Sequence, residues 1–188
     1  VFTKYNVDTN WLHLYNPDFN LPTSKLARNL IMKFNKTQSN NQVHVTLDTF
    51  LSLKVIVNVL IDWVFLIKSN LKIRTHIFRK SDFLWPLLRR DYKSSMLGSV
   101  ALDNLLNLNL FQQALSNLPT QKKGFYLQEN QGWEYALISQ WRSSNHKMNL
   151  VGIPHSTIRY WDLRYFFDRR CYNTSMVNSK LPLPDYIG

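Results

Sequence analysis

Apolar and polar residues trade places along this chain in two rhythms. Trp11–Tyr15 and Val43–Leu47 alternate with period two, the signature of half-buried strands. The second is also rich in β-branched residues. Between them Leu26, Leu30, Ile31 and Phe34 recur at helical spacing, behind a Thr23 or Ser24 that can cap a helix start. Asp48 or Thr49 then opens a long apolar helix to about Lys68. Leu71–Phe78 alternates again and predicts a strand, whereas Phe83–Arg90 and Lys93–Leu118 predict helices. In the second of these, Leu105, Leu108 and Leu110 form a packing stripe, and Pro119 stops it. Gly124–Gln128 predicts a short strand and Gln131–Ser143 an amphipathic helix. Leu150–Ile153 predicts another strand, ended by Pro154. Trp161–Asn178 reads as irregular or short helix, and Pro182–Pro184 as a linker into a strand-like Asp185–Ile187.

Strands alternating with helices predict an α/β fold, a Rossmann-like parallel sheet with helices on both faces. In such sheets the ligand crevice lies outside the carboxyl ends of the strands. Two dense polar clusters fall at those predicted ends. One is YLQENQGWE, Tyr126–Glu134; the other is GIPHSTIRYWD, Gly152–Asp162.

Composition narrows the classes without choosing among them. The chain has 188 residues, 45% of them hydrophobic and 19% charged, enough to bury a sizeable core. A net charge of +11 predicts an anionic partner, such as nucleotide phosphates, an acidic glycan, nucleic acid or an anionic membrane face. The charges are spread out, however, and a basic solvated surface explains them as well. The nearest cluster, Arg159, Arg164, Arg169 and Arg170, adjoins the second motif. The lone Cys171 excludes a disulfide framework and suits a reducing compartment. The apolar run Leu51–Ile67 is broken by Lys54, Asn58 and Asp62 and is short for a membrane span, so it reads as a buried helix.

Within the first cluster, Glu129 at the strand end can act as a general base on a hydroxyl. Alternatively, Glu129 or Asn130 caps the following helix. Glu134 gains from the helix N-terminus in either case. Trp133 can stack on a sugar or base, or pack into the core. In the second cluster, His155 can be a base or a donor to phosphate, with Ser156 and Thr157 cradling an anion. Arg159 and Arg164 offer forked contacts to phosphate or carboxylate. The bland alternative makes His155 structural and Ser156 a cap. His13, His44, His76 and His146 are isolated, without metal-ligand spacing. Five glycines form neither a GxGxxG motif nor a P-loop, and no GxSxG elbow, helix-turn-helix, zinc-finger or RNP pattern occurs.

Three long segments, QKKGFYLQENQGWEYALISQW (121–141), LVGIPHSTIRYWDLRYFFD (150–168) and LPLPDYIG (181–188), resemble a family of bacterial surface carbohydrate biosynthesis proteins. Weaker likeness lies in WLHLY, QVHVTLDTFLSLKVI and SSMLGSVALDNLLNLNLF. The family is thought to be glycosyltransferase-like, of the GT-B type, and to act in O-antigen or capsule assembly. The resemblance implies that 1–181 correspond to the amino-terminal, acceptor-side domain and that 182–188 lead into a second domain. With a chain stopping at Gly188, it also implies an internal piece of a longer protein, inactive alone. The implied reaction moves a sugar from a nucleotide-sugar donor to a surface glycan acceptor, with no bound metal or other cofactor. In that reading Glu129 is the base or acceptor-orienting group, with His155 the alternative base. Asn130, Trp133, Glu134, Ser156, Thr157, Arg159, Trp161 and Arg164 line the substrate crevice. The implied location is cytoplasmic, with peripheral association at the inner face of the cell membrane, and no specific nucleic-acid partner. The competing reading is a non-catalytic α/β domain that binds an anionic glycan or envelope-biosynthesis partners.

Overall fold

The computed structural model describes residues 7–37, 41–78, 85–144, 149–158, 165, 167–168 and 181–188, with backbone alone for 72–78. The fold is mixed α/β, and all of its described strand pairs are parallel. The chain divides into two compact units, 1–56 and 57–188.

In the first unit β1 (Thr9–His13), α1 (Ser24–Thr37) and β2 (Gln42–Thr46) form a strand–helix–strand crossover, with Thr9 opposite Gln42 and His13 opposite Thr46. β1 begins two residues earlier than its alternation predicts. Tyr15 leaves the strand because its hydroxyl donates to the Leu21 carbonyl, 2.9 Å away, in a loop whose Asp18 side chain accepts from the Asn20 and Leu21 amides. Thr23 caps α1 as expected, accepting from the Leu26 N–H at 3.4 Å. The Asn35 side-chain amide pairs with both backbone groups of His44, at 2.7 and 3.0 Å. It thereby satisfies polar groups of β2, for which β1 is the one strand partner among the described residues.

The expected helix from Asp48 or Thr49 starts later. A 3-10 turn occupies Leu47–Phe50, and Ser52 then accepts from the Val55 N–H at 3.3 Å to open α2 (Leu53–Phe78). The strand predicted over Leu71–Phe78 is instead the end of α2. No Gly or Pro interrupts 53–78, and extending a formed helix is easier than starting a new element. Nor is α2 buried all round: Val57, Leu60, Ile61, Val64 and Phe65 are exposed. Its inward positions include polar ones. Asn109 donates to Asp62 at 2.8 Å, and Tyr92 donates to the buried Asn70. No helix among the described residues is long and apolar enough to cross a membrane.

The two helices predicted over Phe83–Arg90 and Lys93–Leu118 are α3 (Trp85–Met96) and α4 (Ser99–Asn117), with the break displaced from 91–92 to 97–98. They part at Gly98, whose N–H turns back to the carbonyls of Lys93 and Ser94 at 3.1 and 3.2 Å. Of the predicted stripe Leu110 is buried, beside Phe111, Ala114 and Leu115.

β3 (Gly124–Gln128), α5 (Gly132–Ser143), β4 (Leu150–Pro154) and β5 (Tyr186–Ile187) complete the second unit, in the sheet order β3-β4-β5. Leu115, Tyr126, Ile138, Trp141 and Leu150 form the core between this sheet and α4 and α5. The Asp185 carboxylate accepts from the Leu150 N–H at 2.8 Å, and its own N–H reaches the Leu150 carbonyl at 2.9 Å. Asp185 also lies 3.7 Å from Arg142, which donates to the Leu183 carbonyl. These bonds explain why the linker-like prolines deliver a strand to β4. Helices were expected on both faces of one sheet. The described strands form two sheets, and on the second of them Phe125, Leu127, Ile153 and Tyr186 are exposed opposite the helix-covered face.

Candidate active site

Strand alternation decides what reaches the end of β3. Tyr126 and Gln128 turn under the helices, and the chain leaves the sheet at Glu129. The Gln128 carbonyl accepts from the His155 N–H at 3.1 Å and from the Tyr165 hydroxyl at 3.4 Å. One carbonyl therefore ties together the carboxyl ends of two neighbouring parallel strands.

That tie sets Glu129 beside His155. The His155 Nδ1 lies 3.5 Å from the Glu129 Oε1, an ion-pair separation longer than a good hydrogen bond. Both side chains remain open to solvent, His155 more so than Glu129. His155, Ser156 and Thr157 line an open cleft of about 630 Å³ with Ile153, Pro154, Ile158 and Gly188. With Nδ1 toward the carboxylate, Nε2 is the ring nitrogen left to face a substrate.

The loop between β3 and α5 is built by different residues from those expected to cap it. Gln131, not Glu129 or Asn130, is the N-cap. The Glu134 Oε1 accepts from the backbone N–H groups of Glu129, at 2.8 Å, and Gln131, at 2.7 Å. The Glu134 side chain is thus turned to the loop and is 4% exposed, although the sequence placed it in the substrate crevice. Burial pushes its carboxyl above the usual range, against the pull of those amides. Trp133 is likewise turned to packing, 6.1 Å from the Tyr126 ring and 6.4 Å from Phe111. Asn130 adopts φ 61°, a left-handed conformation that Asn accepts more readily than most residues. Gly132 lies where a Cβ would meet the Asn104 side chain of α4, so the loop approaches that helix closely. Arg159, Trp161 and Arg164 lie outside the described residues.

Sequence reasoning did not single out Tyr126, Gln128 or Tyr165. The alternation of β3 contained the signal for the first two, since it puts both on one face. Burial raises the Tyr126 phenol well above its ordinary value, aided by Glu134, Tyr135 and Tyr165. Among the described residues no group of three His, Cys, Asp or Glu could hold a metal ion. Comparisons with protein-family models, curated proteins and solved structures give no match.

Proposed function

We propose that the chain is the acceptor-side part of a GT-B-type glycosyltransferase, and that His155 is its general base with Glu129 as the group that orients it. The observation that carries this reading is the Glu129–His155 pair at adjacent parallel strand ends beside an open cleft. Once the pair tightens to a hydrogen bond around bound substrate, the carboxylate holds the proton on Nδ1 and stabilises the imidazolium that forms. Nε2 takes the proton of an acceptor hydroxyl as that oxygen bonds to the anomeric carbon of the donor. The bond from that carbon to the nucleotide's phosphate breaks, and the phosphate leaves with the bonding pair. Ser156 and Thr157, exposed in the same cleft, can offer hydroxyls and amides to the donor's charged part. The order of the pair refines the expectation from sequence, in which Glu129 was the first base and His155 the alternative.

A panel of nucleotide sugars, offered to the protein expressed from its complete reading frame, tests the proposal. Transfer or slow hydrolysis of at least one donor is expected. No turnover and no nucleotide binding across the panel would overturn it. The second reading is a non-catalytic α/β domain that binds an anionic glycan or envelope-biosynthesis partners through its arginines. It predicts glycan binding that survives loss of Glu129 and His155.

A further inference from the structure

Two polar side chains on the helix-covered face of the second sheet have no protein hydrogen-bond partner. Tyr126 is 7% exposed and Gln128 is 3% exposed, and the Tyr126 Oη and Gln128 Oε1 are both orphaned. Their neighbour on β4, directly opposite Tyr126 in the register, is Gly152. A Cβ on Gly152 would stand 2.7 Å from the Gln128 Oε1 and 3.0 Å from the Tyr126 Oη. Both oxygens therefore converge on the Gly152 backbone, in space that any larger side chain there would contest. Two residues further along, at the loop that carries Glu129, Asn130 also buries an Nδ2 without a partner. A buried polar atom left unsatisfied forfeits its hydration without return, so such a row is unfavourable unless something polar fills it.

We propose that Tyr126, Gln128 and Gly152 form a subsite for a single neutral hydroxyl oxygen, that of a water molecule or of a sugar bound at the strand ends. The donor and acceptor inventory selects this chemistry. The phenol oxygen can give or accept a hydrogen bond, whereas Gln128 Oε1 only accepts, so the occupant must at least donate to Gln128. A hydroxyl or water can do so while also accepting from the phenol, whereas an anion without a proton cannot donate to Gln128. The Glu134 carboxylate, close enough to act on the Tyr126 phenol, further disfavours an anion. The sugar source rests on the reading proposed above, whereas the subsite itself does not.

A high-resolution crystal structure of the protein, alone and soaked with methyl glucoside, tests this, with Gly152→Ala and Tyr126→Phe alongside. In the unsoaked protein an oxygen is expected within hydrogen-bond distance of both Tyr126 Oη and Gln128 Oε1, and Gly152→Ala should remove it. Replacement of that oxygen by a glucoside hydroxyl assigns the sugar source; its persistence as water assigns solvent. An empty recess, or a direct Tyr126–Gln128 hydrogen bond, overturns the subsite. If Gly152→Ala does not fold, Tyr126→Phe still decides, because it removes one of the two bonds and the oxygen should shift off the Tyr126 side. An oxygen unmoved in Tyr126→Phe also overturns the proposal. Failure of sugar transfer in the donor panel would leave the water arm unchanged, so the two failures are distinguishable.

Discussion

Glu134 shows how one buried side chain can hold a site without touching its substrate. Its Oε1 gathers the amides on both sides of Asn130, fixing the chain direction at Glu129. Replacing it by Ala should cost about 1–3 kcal/mol of stability, the penalty for leaving buried donors unpaired. Chemical denaturation checks this, and Glu134→Gln, which keeps an acceptor oxygen, should lose less. A second residue-scale prediction concerns His13 and His44. The His13 Nε2 and His44 Nδ1 lie 2.9 Å apart, so one ring gives its N–H to the other's lone pair, and the His44 ring stacks on Trp11. Both histidines titrate below 6.5, His13 through burial and then the charge of His44, and His44 through burial. The unfolded chain therefore takes up these protons first. The pair's contribution should be complete above pH 6.5 and fade as pH falls below that value toward the folded-state ones. NMR titration of the ring protons should give midpoints under 6.5; midpoints at or above it would contradict burial as the factor that sets them.

At the scale of elements, legibility followed from whether local signals competed. Gly124–Gln128 was readable to the residue because alternation, flanking turn residues and burial on one face agree. The start of α5 was readable within one residue, yet its cap was misassigned. Three acceptor-bearing residues stand in a row at 129–131, and only tertiary placement of Glu134 selects Gln131. The place of the break between α3 and α4 hid in one glycine, because leucine spacing continues across it. Likewise the alternation of Leu71–Phe78 could not outweigh a helix already running. Of the site, the strand-end positions of Glu129 and His155 were legible. Core packing of Trp133 stood as one of two readings, because an aromatic residue at a helix start fits either side. The grip of Glu134 on the loop amides was not legible. An element-scale prediction follows from Asn35, whose amide covers backbone groups of β2. Asn35→Ala should cost roughly 1–2 kcal/mol, about that of two net hydrogen bonds. Hydrogen exchange should show the His44 amide losing protection first.

For the molecule as a whole, the +11 charge is a statement about association and not about fold. If an anionic nucleotide sugar is the donor, its Kd should rise with ionic strength, while binding of a neutral acceptor sugar should change little. A salt-independent donor Kd would separate the charge from the function. The central claim is narrower and can be tested directly by steady-state kinetics of His155→Ala and Glu129→Gln in the protein from its complete reading frame. A general base and its orienting carboxylate predict a kcat loss of roughly 10²–10⁴ for His155→Ala with KM nearly unchanged, and a smaller kcat loss for Glu129→Gln. Turnover at the parental rate in His155→Ala, or a loss confined to KM, would contradict the account.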